Sequence, residues 1–200
     1  MSDKTILIIA GGTRRNVYPA LAVADNLKEK GFKLCWLGTR KGIEANVVPE
    51  HGYPLLEINI SGLRGKGLIR FLLAPIMLVF ALLQAIMIMI KIRLVVVLGM
   101  GGFACGPGGI AAWLMRIPLL IHEQNAIAGL TNRLLAPFSV SVMAAFPGAF
   151  KESNKLTITG NPVRNDIVNL IEPEQRFNQN ASQILNVLIL GGSLGAQRLN

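Results

Sequence analysis

Cysteine is nearly absent, with Cys35 and Cys105 the only two in 200 residues. One falls in an expected strand and the other in a glycine-rich stretch, so no disulfide framework of the secreted kind is available and both read as reduced, space-filling thiols. The chain also lacks an apolar leader with a small-residue cleavage site, because MSDKTILIIA runs straight into a short strand. The expected compartment is the cytoplasm. Acidic residues are few, 11 against 20 Lys plus Arg, giving a net charge of +9. The surface should therefore attract anions: phosphorylated substrates, anionic lipid headgroups or nucleic acid. Aromatic residues make up only 6% and are not interleaved with the basic ones, which removes the stacking platform of a nucleic-acid binder. His51 and His122 are the only histidines, and both read as structural.

What the chain has in quantity is apolar sequence, 52% of its residues, enough to bury one ordinary domain and begin another. Short apolar runs at Thr5–Ala10 and Phe32–Leu37 flank Val17–Lys30, in which Val17, Ala20, Leu21, Ala24 and Leu27 recur at helical spacing. The alternation repeats: strand Leu94–Leu98, helix Gly109–Met115, strand Pro118–His122, helix Ile127–Leu135, strand Val140–Met143. Continuously apolar strands separated by helices predict a parallel sheet covered on both faces, an α/β doubly wound, Rossmann-like fold. Ligands of such sheets bind at the carboxyl ends of the strands. The expected organisation is one domain over 1–163, a polar linker over 164–185, and the beginning of a second α/β domain over 186–200.

Phe71–Ile90 carries no charge and is long enough to cross a bilayer, with Arg64, Lys66 and Arg70 before it and Lys91 and Arg93 after it. Pro75 and Gln84 interrupt it, and α/β elements lie on both sides. Three readings stay open: a surface helix dipping into the membrane interface, a true span, and a buried core helix.

Three glycine clusters follow expected strands and precede expected helices: Gly11-Gly12-Thr13, Gly99 to Gly109, and Gly191-Gly192-Ser193. Glycine lets backbone approach a ligand, and free amides at a helix start attract phosphate, so diphosphate binding is expected. The first cluster continues as GGTRRN, without the third glycine of a dinucleotide fingerprint, and no acidic residue ends the second strand near Leu37. A nicotinamide-dependent dehydrogenase is thereby disfavoured.

The strings Ile9-Ala-Gly-Gly-Thr13, Ile60-Ser-Gly-Leu-Arg-Gly-Lys-Gly67, Val97-Leu-Gly-Met-Gly-Gly-Phe103, His122-Glu-Gln-Asn125, Ala128-Gly-Leu-Thr-Asn132, Ala145-Phe-Pro-Gly-Ala-Phe150 and Gly160-Asn-Pro-Val-Arg164 resemble, in order and spacing, the MurG-type transferases of glycosyltransferase family 28. The resemblance implies a two-domain GT-B enzyme, inverting and metal-independent, of which this chain carries the acceptor half and a truncated piece of the donor half. It implies UDP-N-acetylglucosamine as donor and undecaprenyl-pyrophosphoryl-muramyl-pentapeptide as acceptor. The place of action would be the cytoplasmic face of the inner membrane, on an anionic surface. Sugar-nucleotide contacts map to Asn125, Arg164 and Ser193; a carboxylate lining the cleft maps to Glu123; the lipid diphosphate maps to Gly101, Gly102 and Phe103.

The first loop departs from the family's Gly-Gly-Thr-Gly-Gly-His: Gly11, Gly12 and Thr13 match, Arg14 and Arg15 replace glycines, and Asn16 replaces the histidine. Asn16 has no group that titrates near neutrality and reads instead as an N-cap before Val17. Arg14 and Arg15 would be strained if either required positive φ, yet their charge suits a phosphate. Glu123 stands either as a base or as a capping partner. The expected activity is hexosyl transfer; the alternatives are a non-catalytic acceptor-binding subunit that recruits a separate donor-binding chain, and an inactive fragment.

Overall fold

A computed structural model of the chain describes residues 4–60, 68–172, 174 and 175. The chain divides into two compact units, Met1–Asn165 and Asp166–Asn200, and the sheet lies in the first. In chain order the first unit runs β1 (Thr5–Ile9), α1 (Arg14–Glu29), β2 (Lys33–Gly38), α2 (Glu44–Glu50), β3 (Leu55–Glu57), α3 (Leu68–Ile90), β4 (Leu94–Gly99), α4 (Cys105–Leu114), β5 (Leu119–Glu123), α5 (Leu130–Leu135), β6 (Ser141–Ala144) and β7 (Leu156–Ile158). The strands form one seven-stranded sheet in the order β3-β2-β1-β4-β5-β6-β7, parallel at every pairing. Chain order reverses between β1 and β4, which places the topological switch, and hence the expected ligand crevice, beyond Ile9 and Gly99.

Alternating side chains explain why β1 is apolar throughout. Leu7 and Ile9 point into a core shared with Ala81, Ala85, Ala111, Ala112 and Leu135 from α3, α4 and α5. Ile6 and Ile8 point the other way, among Val17, Ala20, Leu21 and Val48 from α1 and α2. A strand buried on both faces has no polar side to show. Double winding thus follows from the pattern that predicted it.

The five strands expected before residue 164 are all present, but three elements of the first unit had no sequence signal: α2, which carries Pro49, and the edge strands β3 and β7, each of three residues. Helix starts also differ. α1 begins at Arg14 rather than Val17, so Asn16 lies inside its first turn and is not its cap; that position is held by Thr13. α4 begins at Cys105 rather than Gly109, and the glycines expected to make a turn there lie within the helix. A Cβ on Gly108 would meet Ile9 and Leu37, and one on Gly109 would meet Leu135. Their lack of a side chain lets α4 sit close on the sheet and on α5.

α3 is the crossover between β3 and β4, the two strands that flank β2 and β1. It rests on the sheet through Ala81, Ala85 and Met89, while Ile76, Val79, Phe80, Leu83, Met87 and Ile90 are exposed. Only 22% of Leu73–Ile90 is buried, so the core-helix reading fails: this is an apolar helix on the surface. The basic residues Arg64 and Lys66, the interval 186–200 and Ser193 within it lie outside the described residues.

Candidate functional site

At the switch point the loops after β1 and β4 are joined backbone to backbone. Met100 N–H donates to the Ile9 carbonyl at 2.8 Å and Gly11 N–H to the Gly101 carbonyl at 3.2 Å. The Cys105 thiol donates to the Ile9 carbonyl at 2.9 Å and lies 3.2 Å from both the amide and the carbonyl of Gly101. Burial pushes that thiol up to about 12, so it stays protonated and serves as a stitch rather than a nucleophile.

The first loop is held from behind by a residue that sequence reasoning missed. Glu44, at the start of α2, is 1% exposed. Its carboxylate accepts from Gly12 N–H at 2.9 Å, from Thr39 N–H at 3.1 Å and from the Thr39 hydroxyl at 2.8 Å. Gly11, Gly38 and Gly42 all pack against it, and a Cβ at any of them would collide with its side chain. Nothing in the sequence marked it: a lone acid two positions after Gly42, at the start of a helix that itself had no sequence signal. The consequence corrects the reading of Gly11 and Gly12 as a phosphate cradle, because both amides are already taken, one by Gly101 and one by Glu44. Among the described residues, the amides of Arg14 and Arg15, in the first turn of α1, have no backbone or side-chain acceptor.

In front of these loops lies a hollow of about 720 Å³, lined by Thr13, Arg15, Asn16, Gly101, Gly102, Glu123 and Asn125, with Thr131 and Phe146 among its other walls. Seven residues expected at the site are therefore brought together. Gly11, Gly12 and Arg14 form its rear support and edge rather than its lining; Phe103 faces a neighbouring apolar groove. The Arg164 guanidinium lies over the Tyr18 ring, 6.0 Å from its centre, outside the lining. Positive φ occurs here only at Gly12, Gly101 and Gly102, so Arg14 and Arg15 enter the helix without strain. Asn16 donates from Nδ2 to the Gly11 carbonyl at 3.0 Å and abuts Gly101, bridging the two loops.

Glu123, at the end of β5, is 2% exposed. It accepts from the backbone and side-chain nitrogens of Asn125 at 3.0 and 2.7 Å, from Gly129 N–H at 3.0 Å and from Asn132 Nδ2 at 2.9 Å. Four donors on two oxygens favour the capping alternative over the base, since the carboxylate's acceptor positions are all spent on the loop that carries Asn125.

Next to it, His122 Nε2 donates to the Gly160 carbonyl at 3.1 Å, which leaves Nδ1 to accept from Gln124 Nε2 at 3.2 Å. Asn161 Nδ2 donates to the Gln124 carbonyl at 3.2 Å. Burial lowers the His122 pKa below its ordinary 6.5, against the opposing pull of the Gly160 carbonyl and Glu123. The native state then binds fewer protons here than the unfolded chain does. Stability from this group is intact above about 6.5 and is lost as pH falls towards the lower native value. Urea unfolding between pH 7 and 5 should show a loss of up to about 1.4 kcal/mol per pH unit from His122. His122→Gln should remove that share, and equal pH slopes for the two chains would contradict it.

Residues 6–144 match the glycosyltransferase family 28 N-terminal domain. The chain belongs to glycosyltransferase family 28. Within this family it is 54% identical over 198 residues to the UDP-N-acetylglucosamine–N-acetylmuramyl-(pentapeptide) pyrophosphoryl-undecaprenol N-acetylglucosamine transferase of Aeromonas hydrophila, covering 99% of this chain and 54% of the relative. It is 53% identical over 199 residues to the same-named protein of Psychromonas ingrahamii, covering 100% of this chain and 55% of that one. The chain thus spans about half the length of the curated relatives it matches. Among solved structures, the crystal structure of Acinetobacter baumannii MurG superposes with a TM-score of 0.81 at 38% identity, over 98% of this chain and 55% of the other. A UDP-GlcNAc 2-epimerase from Methanocaldococcus jannaschii shares the fold alone, with a TM-score of 0.58 at 17% identity. The family 28 fold is the GT-B type, and the seven-stranded unit described above corresponds to its N-terminal domain.

Proposed function

We propose that this chain is the acceptor-binding side of an N-acetylglucosaminyl transferase that works on a pyrophosphoryl-undecaprenol-linked muramyl-pentapeptide at the cytoplasmic face of the inner membrane. The observation that carries the reading is the hollow at the β1/β4 switch, with open helix-start amides, Arg15 and the Gly101-Gly102 backbone on one side and Asn125 on the other. Amides and a guanidinium suit a pyrophosphate; Asn125, held by Glu123, offers polar contacts to sugar or nucleotide. The apolar face of α3 beside Lys91 and Arg93 suits an anionic bilayer. The names of the relatives supply the donor, UDP-N-acetylglucosamine, and the acceptor.

In the reaction the acceptor hydroxyl attacks the anomeric carbon of the donor sugar, its proton goes to a base, and the C–O bond to UDP breaks with inversion. This chain's residues position the acceptor, Glu123 by fixing the loop that carries Asn125 and Arg15 by neutralising charge. Most of the donor grip comes from a second α/β lobe, in the same polypeptide or on a partner chain. With vesicles carrying the lipid-linked acceptor and radiolabelled UDP-N-acetylglucosamine, the 200-residue chain should bind the vesicles but transfer sugar only when such a lobe is added. Turnover by the chain alone would overturn the need for a second lobe, and indifference to the acceptor would overturn the assignment of the hollow. Phe80→Ser combined with Leu83→Ser should weaken partition onto anionic vesicles at least roughly tenfold; unchanged sedimentation would remove α3 from the membrane contact.

A further inference from the structure

Lying on a bilayer requires an apolar face, yet beside the exposed ridge of α3 the surface is indented. A groove of about 660 Å³ runs between α3, α4 and α5, walled by Leu78 and Leu82, by Ile110, and by Leu134 and Phe138. That size is in the range of small-ligand clefts, about 300–1,000 Å³. Two small residues, Ala74 and Gly106, also line it. Two residues, Leu130 and Thr131, wall both this groove and the polar hollow. Phe103, which follows the Gly101-Gly102 backbone directly, lies in the groove. A ligand that fills both must be doubly charged at one end and a hydrocarbon immediately beyond it.

We infer that the groove seats the isoprene units next to the pyrophosphate of a polyprenyl-linked acceptor, so that the protein itself holds the first part of the lipid above the bilayer. The inference rests on the acceptor reading of the hollow. Three features argue for this occupant over the membrane surface or another protein segment. The groove shares Leu130 and Thr131 with the polar hollow, its walls are apolar along its length, and the turn from polar to apolar falls within that one pair of residues, as it does across a phosphate ester. Seating the lipid also fixes the direction from which the sugar enters the hollow.

The test uses water-soluble probes and no membrane. Calorimetric titration of the 200-residue chain should show geranyl diphosphate binding at least roughly tenfold tighter than inorganic pyrophosphate. Gly106→Leu directs a side chain into the groove; a Cβ there meets nothing closer than Thr131 Cγ2 at 3.9 Å, so the helix accommodates it. That variant should bind both probes equally, with pyrophosphate affinity and adsorption to anionic vesicles unchanged. Leu134→Ser, at a side chain 62% exposed, repeats the test without touching the core and should shrink the preference. Equal affinity of the native chain for the two probes, or a preference that survives Gly106→Leu, overturns the lipid seat while leaving the pyrophosphate hollow standing. If neither probe binds, the hollow falls and the seat with it.

Discussion

Glu123→Ala is expected to destabilise the first unit by about 3–5 kcal/mol in urea titration, more than any loss of a reacting group would require. The substitution strands the two nitrogens of Asn125, Gly129 N–H and Asn132 Nδ2 around a site buried from solvent. Glu123→Gln separates the base from the organiser. A glutamine oxygen keeps the Asn125 pair, but its amide turns a donor towards Gly129 N–H and Asn132 Nδ2, so about 2 kcal/mol should be lost. A residue needed only to accept a proton would tolerate the isosteric amide with its stability intact. If Glu123→Gln unfolds at the native urea concentration and acceptor binding is unchanged, the organising role is wrong.

Glu44 shows the same device on the other side of the crevice: a buried carboxylate with backbone and side-chain donors and, among the described residues, no cation within ion-pair distance. Each acid ties the loop after one strand to a neighbouring element, and between them stands the hollow. This division decides what sequence could reveal. Strands and their parallel order were legible because burial on both faces leaves an apolar record in every residue, as Ile6 to Ile9 display. The location of the site was legible too, since glycines at strand ends must lie at the switch point whatever they do there. Their individual roles were not. The glycine pattern makes Gly12 an anion cradle, but its amide is satisfied by a carboxylate 32 positions away, and no local pattern encodes that distance. The glycines ahead of Gly109 read as a turn and Gly109 as a helix start, but Gly108 and Gly109 are interior contact points of a helix whose partners, Ile9, Leu37 and Leu135, come from three separate elements. Asn16 reads as a cap from its neighbours; its partners are Gly11 and, across the switch, Gly101. Short edge strands such as β3 and β7 escaped because three residues carry no period, and they form only against a strand that is already in place.

The second large effect is expected at Gly102, and it separates two ways in which a glycine is required. Gly102 has φ +99, and a Cβ there would fall 2.5 Å from the Gly11 carbonyl oxygen, a backbone atom that cannot rotate aside. Gly12 has φ +80 with nothing within 4 Å. Gly12→Ala therefore bears only the left-handed backbone strain of about 1–2 kcal/mol. Gly102→Ala bears that strain and must also push the β4 loop off the β1 loop, against the Gly11–Gly101 and Met100–Ile9 bonds that join them. A loss of about 3 kcal/mol or more is expected, a fall in Tm of roughly 6–12 °C for a unit of this size. Because the two loops form one wall of the hollow, Gly102→Ala should also weaken pyrophosphate binding, measured well below its lowered Tm, whereas Gly12→Ala should leave it within about twofold. Equal Tm shifts for the two variants would mean that the loops can part without cost. The hollow would then owe its shape to side chains such as Asn16 and Asn125 rather than to the contact between the two glycine backbones.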